Sequence, residues 1–545
     1  MFLLTGKILQ NSSGKDQMNR SRRDFLRLSG ALPLLGLSGA YAGAEEVFPG
    51  NHSASSDAAD PIFIGDERQL FMDDYLLGHA ENVRLRVHEP IRCPEVLLWD
   101  KPWEGNSCTY GSVLFDPENK RYLMYYLGSG TKNGGGAVGH PSNVCLMTST
   151  DGIHWERPTT GIEYEGETET NILFPESEDF VPFIDSNPRV KPEERFKAVA
   201  GPKHGGLLAY ASADGIDWHI LNNGHPVYTD GAFDSENVAF WSEVENRYVL
   251  YYRRPRRDAR DVGRAYSDDF IHWTADGWIE FPVEGEGPTV LAQFYTNQIQ
   301  PYYRAPKYIV GFPARYIDRG PGVSNGLLPE QKERRERTEV LARSATALTD
   351  SIYITSRDGK SFRQSPDVFL KPGLKTKDNW DYGDNYIARG LLETESTMGD
   401  EPREISIYAS ESRWTGNDSQ WRRYKLRIDG FASFAAETKK GYFETKPLIF
   451  TGTELSINAS TSACGYIKVE FRTPEGDTFD GFSSEDCDIV YGDSIDRPVT
   501  WNNDRHVCPM EKRPVVIRFY MKEADLYSFK FTYGDSTTKP DHQEY

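Results

Sequence analysis

Five apolar runs recur along the chain: Tyr122-Leu123-Met124-Tyr125-Tyr126, Phe196-Lys197-Ala198-Val199-Ala200, Tyr248-Val249-Leu250-Tyr251-Tyr252, Tyr308-Ile309-Val310-Gly311-Phe312 and Ile405-Ser406-Ile407-Tyr408-Ala409. Strands buried on both faces read as nearly continuous apolar runs rather than as alternation. Behind four of the runs stands a repeated turn. Its copies are Ser149-Thr150-Asp151-Gly152-Ile153-His154-Trp155, Ser212-Ala213-Asp214-Gly215-Ile216-Asp217-Trp218, Ser267-Asp268-Asp269-Phe270-Ile271-His272-Trp273 and the weaker Ser356-Arg357-Asp358-Gly359-Lys360-Ser361-Phe362. Asp and Gly supply the turn geometry, and the aromatic packs on the outgoing strand. Repeated strand, turn and strand units at blade-sized spacing predict an all-β chain with a five-bladed β-propeller over 62–438.

Two segments break that pattern. Residues 329–343 alternate Glu, Lys and Arg without strand periodicity and predict a surface helix inserted in blade four. Beyond 440 the repeat gives way to half-buried strands such as Tyr466-Ile467-Lys468-Val469-Glu470-Phe471, with a turn at Pro474-Glu475-Gly476-Asp477. Residues 440–545 are therefore expected to form a C-terminal β-sandwich.

Composition agrees: the chain is 13% aromatic, with 48 Gly and 32 Pro, which favours short strands and turns over helices. Its formal net charge of −20 makes nucleic acid or an anionic membrane a poor general partner. One basic stretch, Arg253-Arg254-Pro255-Arg256-Arg257 followed by Arg260 and Arg264, reads either as a solvated loop or as a pocket for carboxylated, sulfated or phosphorylated sugar. The six cysteines lack CxxC or Cys/His zinc spacing, leaving free thiols and one or two disulfides both open. No metal and no cofactor is expected. Ser21-Arg22-Arg23-Asp24-Phe25-Leu26-Arg27, an apolar run over 28–37 and Ala40-Tyr41-Ala42 have the layout of a twin-arginine export signal over 1–43. Periplasmic or extracellular location follows, with no membrane partner after signal removal.

The copy Ser267-Asp268-Asp269-Phe270-Ile271-His272-Trp273 resembles the strand-turn of the five-bladed propeller glycoside hydrolases, the superfamily of families 32, 43, 68 and 117. The C-terminal region is similar to the sandwich that follows the propeller in family 32. The resemblance covers roughly 65–535 and implies a divergent family-32-like exported bacterial protein. The sequence lacks the Asn-Asp-Pro-Asn-Gly, Arg-Asp-Pro and Glu-Cys signatures of that family, so it gives fructoside specificity no support.

In a propeller the innermost strand of each blade lines the channel, and its start faces the ligand pocket. Segments preceding the apolar runs supply the candidates: Phe183-Ile184-Asp185-Ser186-Asn187 in blade two, Phe233-Asp234-Ser235-Glu236-Asn237 in blade three, Tyr295-Thr296-Asn297 in blade four and Asp381-Tyr382-Gly383-Asp384-Asn385 in blade five. Blade one, with Cys108-Thr109-Tyr110-Gly111-Ser112, offers no acid. Glycoside hydrolysis uses two carboxyl groups flanking the scissile bond, which nominates Asp185, Asp234 and Glu236 as catalytic. The same Asp and Asn residues also suit turn capping. Expected substrate contacts are Asn187, Asn237, Asn297, Arg253, Arg315 and Asp384, with Tyr110, Tyr295 and Trp99 as stacking platforms. The expected function is hydrolysis of plant or algal oligo- or polysaccharide. A non-catalytic carbohydrate-binding propeller and a glycoside phosphorylase of the same fold are the alternatives.

Overall fold

In each copy of the repeat, a serine and an aspartate two positions later build the same small cage. Ser149 Oγ accepts the Gly152 N–H at 2.9 Å, while Asp151 Oδ1 accepts the N–H groups of Ile153 and His154, both at 2.8 Å. Ser212 with Asp214, Ser267 with Asp269 and Ser356 with Asp358 repeat the arrangement. The fourth residue of the cage has positive φ, which favours the glycine found at 152, 215 and 359; Phe270 takes that conformation in blade three. Burial pulls the Asp269 carboxyl upward, but the donors of His272, Ile271 and Ser267 outweigh it and hold it at about 2.

The computed structural model describes residues 60–534 apart from 109, 131–138, 178, 204, 321–322, 341–342, 344–345, 377–378, 400 and 414–418. The export signal expected over 1–43 lies outside the described residues. Four-stranded antiparallel blades alternate with these turns. Blade one consists of Gly111–Asp116, Arg121–Gly130, His140–Ser149 and Ile172–Phe174; blade two of Asp179–Ile184, Phe196–Lys203, Gly206–Ser212 and Trp218–Ile220. Blade three holds Val238–Ser242, Arg247–Arg253, Val262–Ser267 and Thr274–Trp278. In blade four the first strand is split into Gln293–Phe294 and Gln300–Tyr302 and the second into Ala305–Gly311 and Ala314–Asp318, followed by Ala347–Ser356 and Arg363–Leu370. Blade five runs Leu392–Thr394, Glu404–Glu411 and Gln420–Arg427, and its outer strand is Ile91–Leu98 from the other end of the propeller. The apolar runs are thus the second strand of every blade.

Tyrosines on those second strands latch neighbouring blades. Tyr125 Oη donates to the Gly215 carbonyl at 2.7 Å, Tyr251 Oη to that of Gly359 at 2.7 Å and Tyr408 Oη to that of Gly152 at 2.6 Å. The helix expected in blade four is present as Gln331–Val340. Its buried Arg334 donates to the carbonyls of Asn379 and Trp380, tying the insertion to the segment that leads into blade five.

The C-terminal region is an antiparallel sheet of eight strands built on two long ones, Glu454–Arg472 and Val516–Thr532, paired along their length with a break between Thr461 and Tyr466. Its aromatic core includes Phe434, Phe443, Phe519, Phe529 and Phe531. Strands Gln69–Leu70, Leu77–Glu81 and Val83–Val87 join this sheet, and Ile62–Gly65 pairs with Leu448–Phe450. The propeller boundary expected at 62 is therefore corrected: residues 62–87 pair with C-terminal strands, and the first propeller strand starts at Ile91. Short, mixed runs over 62–87 carry no mark of which sheet they join, since pairing partners lie hundreds of residues away.

Asp429 fastens the two parts. Its buried carboxylate accepts Tyr302 Oη at 2.7 Å and Arg304 at 3.1 Å from blade four, and Ser528 Oγ at 2.7 Å and Asn458 at 3.2 Å from the sheet, with Arg68 at 3.3 Å. All six cysteines are free thiols. Among the described residues no helix is long and apolar enough to cross a membrane.

Removing the charge at Asp429 leaves Arg68 and Arg304 sharing only the half-exposed Asp496. D429N is expected to lower stability by about 3–5 kcal/mol, read by urea denaturation.

Candidate active site

Inner strands of a propeller run in the same direction, so the residues at their starts gather at one end of the channel. In blade three that start is the loop 233–237. Asn237 Nδ2 donates to the carbonyls of Phe233 at 3.0 Å and Ser235 at 2.6 Å, and its Oδ1 accepts the Arg253 N–H at 3.2 Å. The loop is thereby rigid, and it aims Glu236 across the channel. Glu236 Oε1 accepts the N–H of Gly111 in blade one at 2.7 Å, and Oε2 accepts Gln298 Nε2 from blade four. Gly111 is required there: a Cβ would lie 2.3 Å from the Trp421 ring and 2.4 Å from the Tyr125 carbonyl.

Blade two contributes Asp179, the first residue of its inner strand and buried. Burial first, then the charge of Asp179, pushes the Glu236 carboxyl well above the usual carboxylate range, against the donors of Gly111 and Gln298 and the charge of Arg389. Arg389 belongs to blade five, and its Nη1 donates across the channel to the Pro182 carbonyl of blade two at 2.9 Å. Burial brings that guanidinium down to about 10, with Glu236 opposing.

Beside these groups stands a tyrosine cluster of Tyr110, Tyr295, Tyr316, Tyr382 and Tyr386. Tyr382 Oη donates to Tyr295 Oη at 2.6 Å, and Tyr110 stacks on Tyr386 with centroids 6.0 Å apart. Four guanidinium groups lie against these rings: Arg253 4.4 Å and Arg260 4.9 Å from the Tyr295 centroid, Arg343 and Arg413 each 5.1 Å from that of Tyr382. Burial favours the neutral Tyr295 phenol, but Arg253, the Tyr382 hydroxyl, Arg343 and Arg413 outweigh it and hold the phenol below its ordinary value.

The sequence candidates divide sharply. Glu236, Tyr110 and Tyr295 are brought together here. Arg253 joins them as the clamp on the loop: it is buried, stacks on Tyr295 and pairs with Asp234 at 2.6 Å. The Asp234 side chain is 67% exposed, so it stands at the rim as the partner of Arg253 rather than beside Glu236. Asp384 lies fully buried in blade five, accepting the Arg413 N–H at 2.9 Å through Oδ1, and burial with Asp381 pushes it well above the carboxylate range. Asn237 and Asn297 are spent on backbone, the latter donating to the Glu236 carbonyl at 3.3 Å.

Asp185 and Asn187 are placed at the wrong end. The inner strand of blade two is Asp179–Ile184, so Asp185 follows it, whereas loop 233–237 precedes the corresponding strand of blade three. There Asp185 accepts buried Lys197 Nζ at 2.8 Å and Tyr248 Oη at 2.6 Å, and Asn187 Nδ2 donates to the same hydroxyl at 3.0 Å. Arg315 is held by both oxygens of Asp350, at 2.9 and 2.7 Å. Trp99 follows the outer strand of blade five and is wholly buried, stacked 4.1 Å from Tyr126, so no sugar reaches it.

Sequence reasoning missed Asp179, Gln298, Arg389, Arg343 and Arg413. Asp179 alone carried a signal: it opens the apolar stretch Phe180-Val181-Pro182-Phe183-Ile184, just as Asn237 precedes Val238. Among the described residues, several buried polar atoms on these segments have no hydrogen-bond partner: Ser112 Oγ, Arg253 Nε, Gln298 Oε1, Arg343 Nε, Asp384 Oδ2, Tyr386 Oη and Arg389 Nε. Buried groups of this kind are normally satisfied by protein or by ordered water. Among the described residues no group of three or more His, Cys, Asp or Glu side chains is arranged to hold a metal ion.

Neither a protein-family model nor a curated protein matches the sequence. The structure is similar to a thermostable family-43 glycoside hydrolase at 10% identity, with a TM-score of 0.36 over 61% of this chain and 95% of that one. It is similar to the exo-inulinase of Aspergillus awamori at 11% identity, TM-score 0.34, over 80% of this chain and 99% of the other. A structure from the GH130 family of mannoside phosphorylases, described as containing glycoside hydrolases that target β-1,2 mannosidic linkages in Candida mannan, aligns at 14% identity, TM-score 0.34, over 65% and 96%. The chain is a five-bladed β-propeller. That follows from its own strand pairings.

The arginine field makes Tyr295 the first buried phenol of the cluster to ionise on raising the pH. Tyrosinate absorbance is expected to show a component titrating below the ordinary phenol value of about 10 that Y295F abolishes.

Proposed function

We propose that the protein is a glycoside hydrolase acting on oligo- or polysaccharide in the propeller channel, with Glu236 as proton donor and Asp179 as the second carboxyl group. The observation that carries this reading is the buried Glu236, its carboxyl pushed upward by burial and by Asp179, with the two residues at the starts of adjacent inner strands. A general acid must hold its proton near neutral pH, and burial next to a like charge achieves that. Glu236 gives its proton to the glycosidic oxygen as the bond to the anomeric carbon breaks. Asp179, as carboxylate, faces the positive charge that develops and takes a proton from the incoming water. The Glu236 carboxylate left behind is received by the Gly111 N–H, the Gln298 amide and Arg389, all already in place. Of the tyrosine cluster only Tyr110 is less than fully buried, and it supplies the ring face for sugar.

The export layout of the sequence places this activity in the periplasm or outside the cell, where plant or algal glycans are met. Product analysis with and without phosphate separates hydrolysis from phosphorolysis.

E236Q is expected to cut the rate of sugar release by about 10²–10⁴, and D179N to do likewise. D185N, altered at the opposite end of the strand, keeps its turnover per folded molecule while losing stability. Sugar release that survives E236Q overturns the assignment.

A second expectation concerns pH. Because the acid must be protonated, activity falls as pH rises through the raised Glu236 value. Taking away the Asp179 charge lowers that value, so the residual activity of D179N loses its alkaline limb at lower pH than wild type. A pH–rate profile of both proteins reads this.

A further inference from the structure

The arginines near the channel are not equally committed. Arg254 pairs with Asp230 at 3.0 Å and lies over Trp278; Arg256 holds Asp261 and Glu280; Arg264 holds Glu245 and Asp276; Arg315 holds Asp350. Each of these is neutralised by acid within its own blade. Arg260 and Arg343 differ. Arg260 Nη1 donates to the neutral Gln293 amide at 2.6 Å, and among the described residues neither Arg260 nor Arg343 has a carboxylate partner. Two guanidinium groups without a carboxylate partner against one cluster of buried tyrosines are a local concentration of charge that calls for a cause.

Their placement gives the cause. Arg260 lies over Tyr295 and, at 5.0 Å, over Tyr316, while Arg343 lies over Tyr382. Tyr382 and Tyr295 are joined by their hydroxyls. Each guanidinium group therefore lies against one ring of a hydroxyl-bonded pair. Arg343 Nε is buried and has no hydrogen-bond partner among the described residues. Arg253, stacked on the face of Tyr295 and paired with Asp234, adds a third charge. Planar forks held in this way suit the oxygens of a carboxylate or a sulfate, and a neutral sugar gives them no counter-charge.

We propose that the channel selects saccharides carrying an anionic group, a uronate carboxylate or a sulfate ester, which Arg260 and Arg343 bind beside the Tyr295–Tyr382 pair. This rests on the reading of the channel as a carbohydrate site and names its substrate class. Glu236 and Asp179 work on the glycosidic bond, and the arginines hold the substituent that tells one glycan from another. The helical insertion, anchored through Arg334, brings Arg343 to the cluster, so the specificity element belongs to the insertion while the carboxyl pair belongs to the inner strands.

The test uses the full chain and two paired sets of oligosaccharides: uronate oligomers with their carboxyl-reduced counterparts, and sulfated oligomers with their desulfated counterparts. Turnover is measured on the wild type and binding by calorimetry on E236Q. The charged member of at least one pair is expected to be preferred by about tenfold or more. R260Q and R343Q are expected to raise KM for that member by a similar factor and to erase its preference over the neutral member. The pair that discriminates tells carboxylate from sulfate. Equal handling of charged and neutral members, or a preference that survives R260Q/R343Q together, overturns the proposal. If neutral glycans are cut in an E236Q-sensitive way without preference, the hydrolase reading stands and this one falls. If charged glycans bind through the two arginines but are not cut, this one stands and the hydrolase reading falls. Neither binding nor cleavage of any member rejects both.

Discussion

A ring of five sheets has to close, and the hydrogen bonds that close it also set the width of the channel. Blade five borrows its outer strand from Ile91–Leu98, and its inner edge bonds blade one directly: Val113 N–H to the Arg389 carbonyl at 2.7 Å and Arg389 N–H to the Gly111 carbonyl at 2.9 Å. Two glycines permit that approach. Gly390 would place a Cβ 2.0 Å from the Val113 carbonyl oxygen, and Gly111 has the Trp421 ring against it. With blades one and five drawn this close, a carboxylate from blade three reaches the backbone of blade one, and a guanidinium from blade five reaches the backbone of blade two. The site is a by-product of closure in the sense that each chemical group is oriented by a blade other than its own.

That dependence explains the electrostatics. Closure buries Glu236 and sets it near Asp179, which pushes its carboxyl above the usual range, while the Gly111 N–H, Gln298 and Arg389 limit how far the shift goes. A carboxyl with donors but no burial would be a plain carboxylate, as the turn aspartates are. Asp269 has four N–H or O–H donors from His272, Ile271 and Ser267 in a half-open turn and is held at about 2. One residue type thus serves two ends in the same fold, and desolvation decides which.

Much of the architecture can be read from the sequence because it is local. The serine–aspartate cage is made within a few residues, so its repeats announce the blades wherever they fall. The helical insertion shows itself by its charge pattern in the same way. The site is another matter, because its members meet only after closure. Glu236 was legible since loop 233–237 lies just before its strand. Asp185 was not separable from Asp179 by pattern: both flank the apolar strand Phe180-Val181-Pro182-Phe183-Ile184, and which flank faces the ligand depends on strand direction in the closed ring. Trp99 failed for a related reason, since a tryptophan ahead of a blade looks like a platform until the strand before it is seen to be the outer strand of the last blade. Arg389 and Gln298 carry no distinguishing pattern and Arg343 is one charge among many in the helical insertion, so only their partners give them meaning.

Floor and rim are built from different parts of the chain. Glu236, Asp179 and Arg389 sit on or beside inner strands whose geometry is fixed by closure, so altering any of them disturbs contacts between blades. Arg260 lies in the loop between the second and third strands of blade three, and Arg343 follows the helix inserted in blade four; both are partly exposed and bonded to little else. Substitutions there leave the ring intact. The rim of this propeller can therefore vary while the inner strands that carry Glu236, Asp179 and Arg389 keep their geometry.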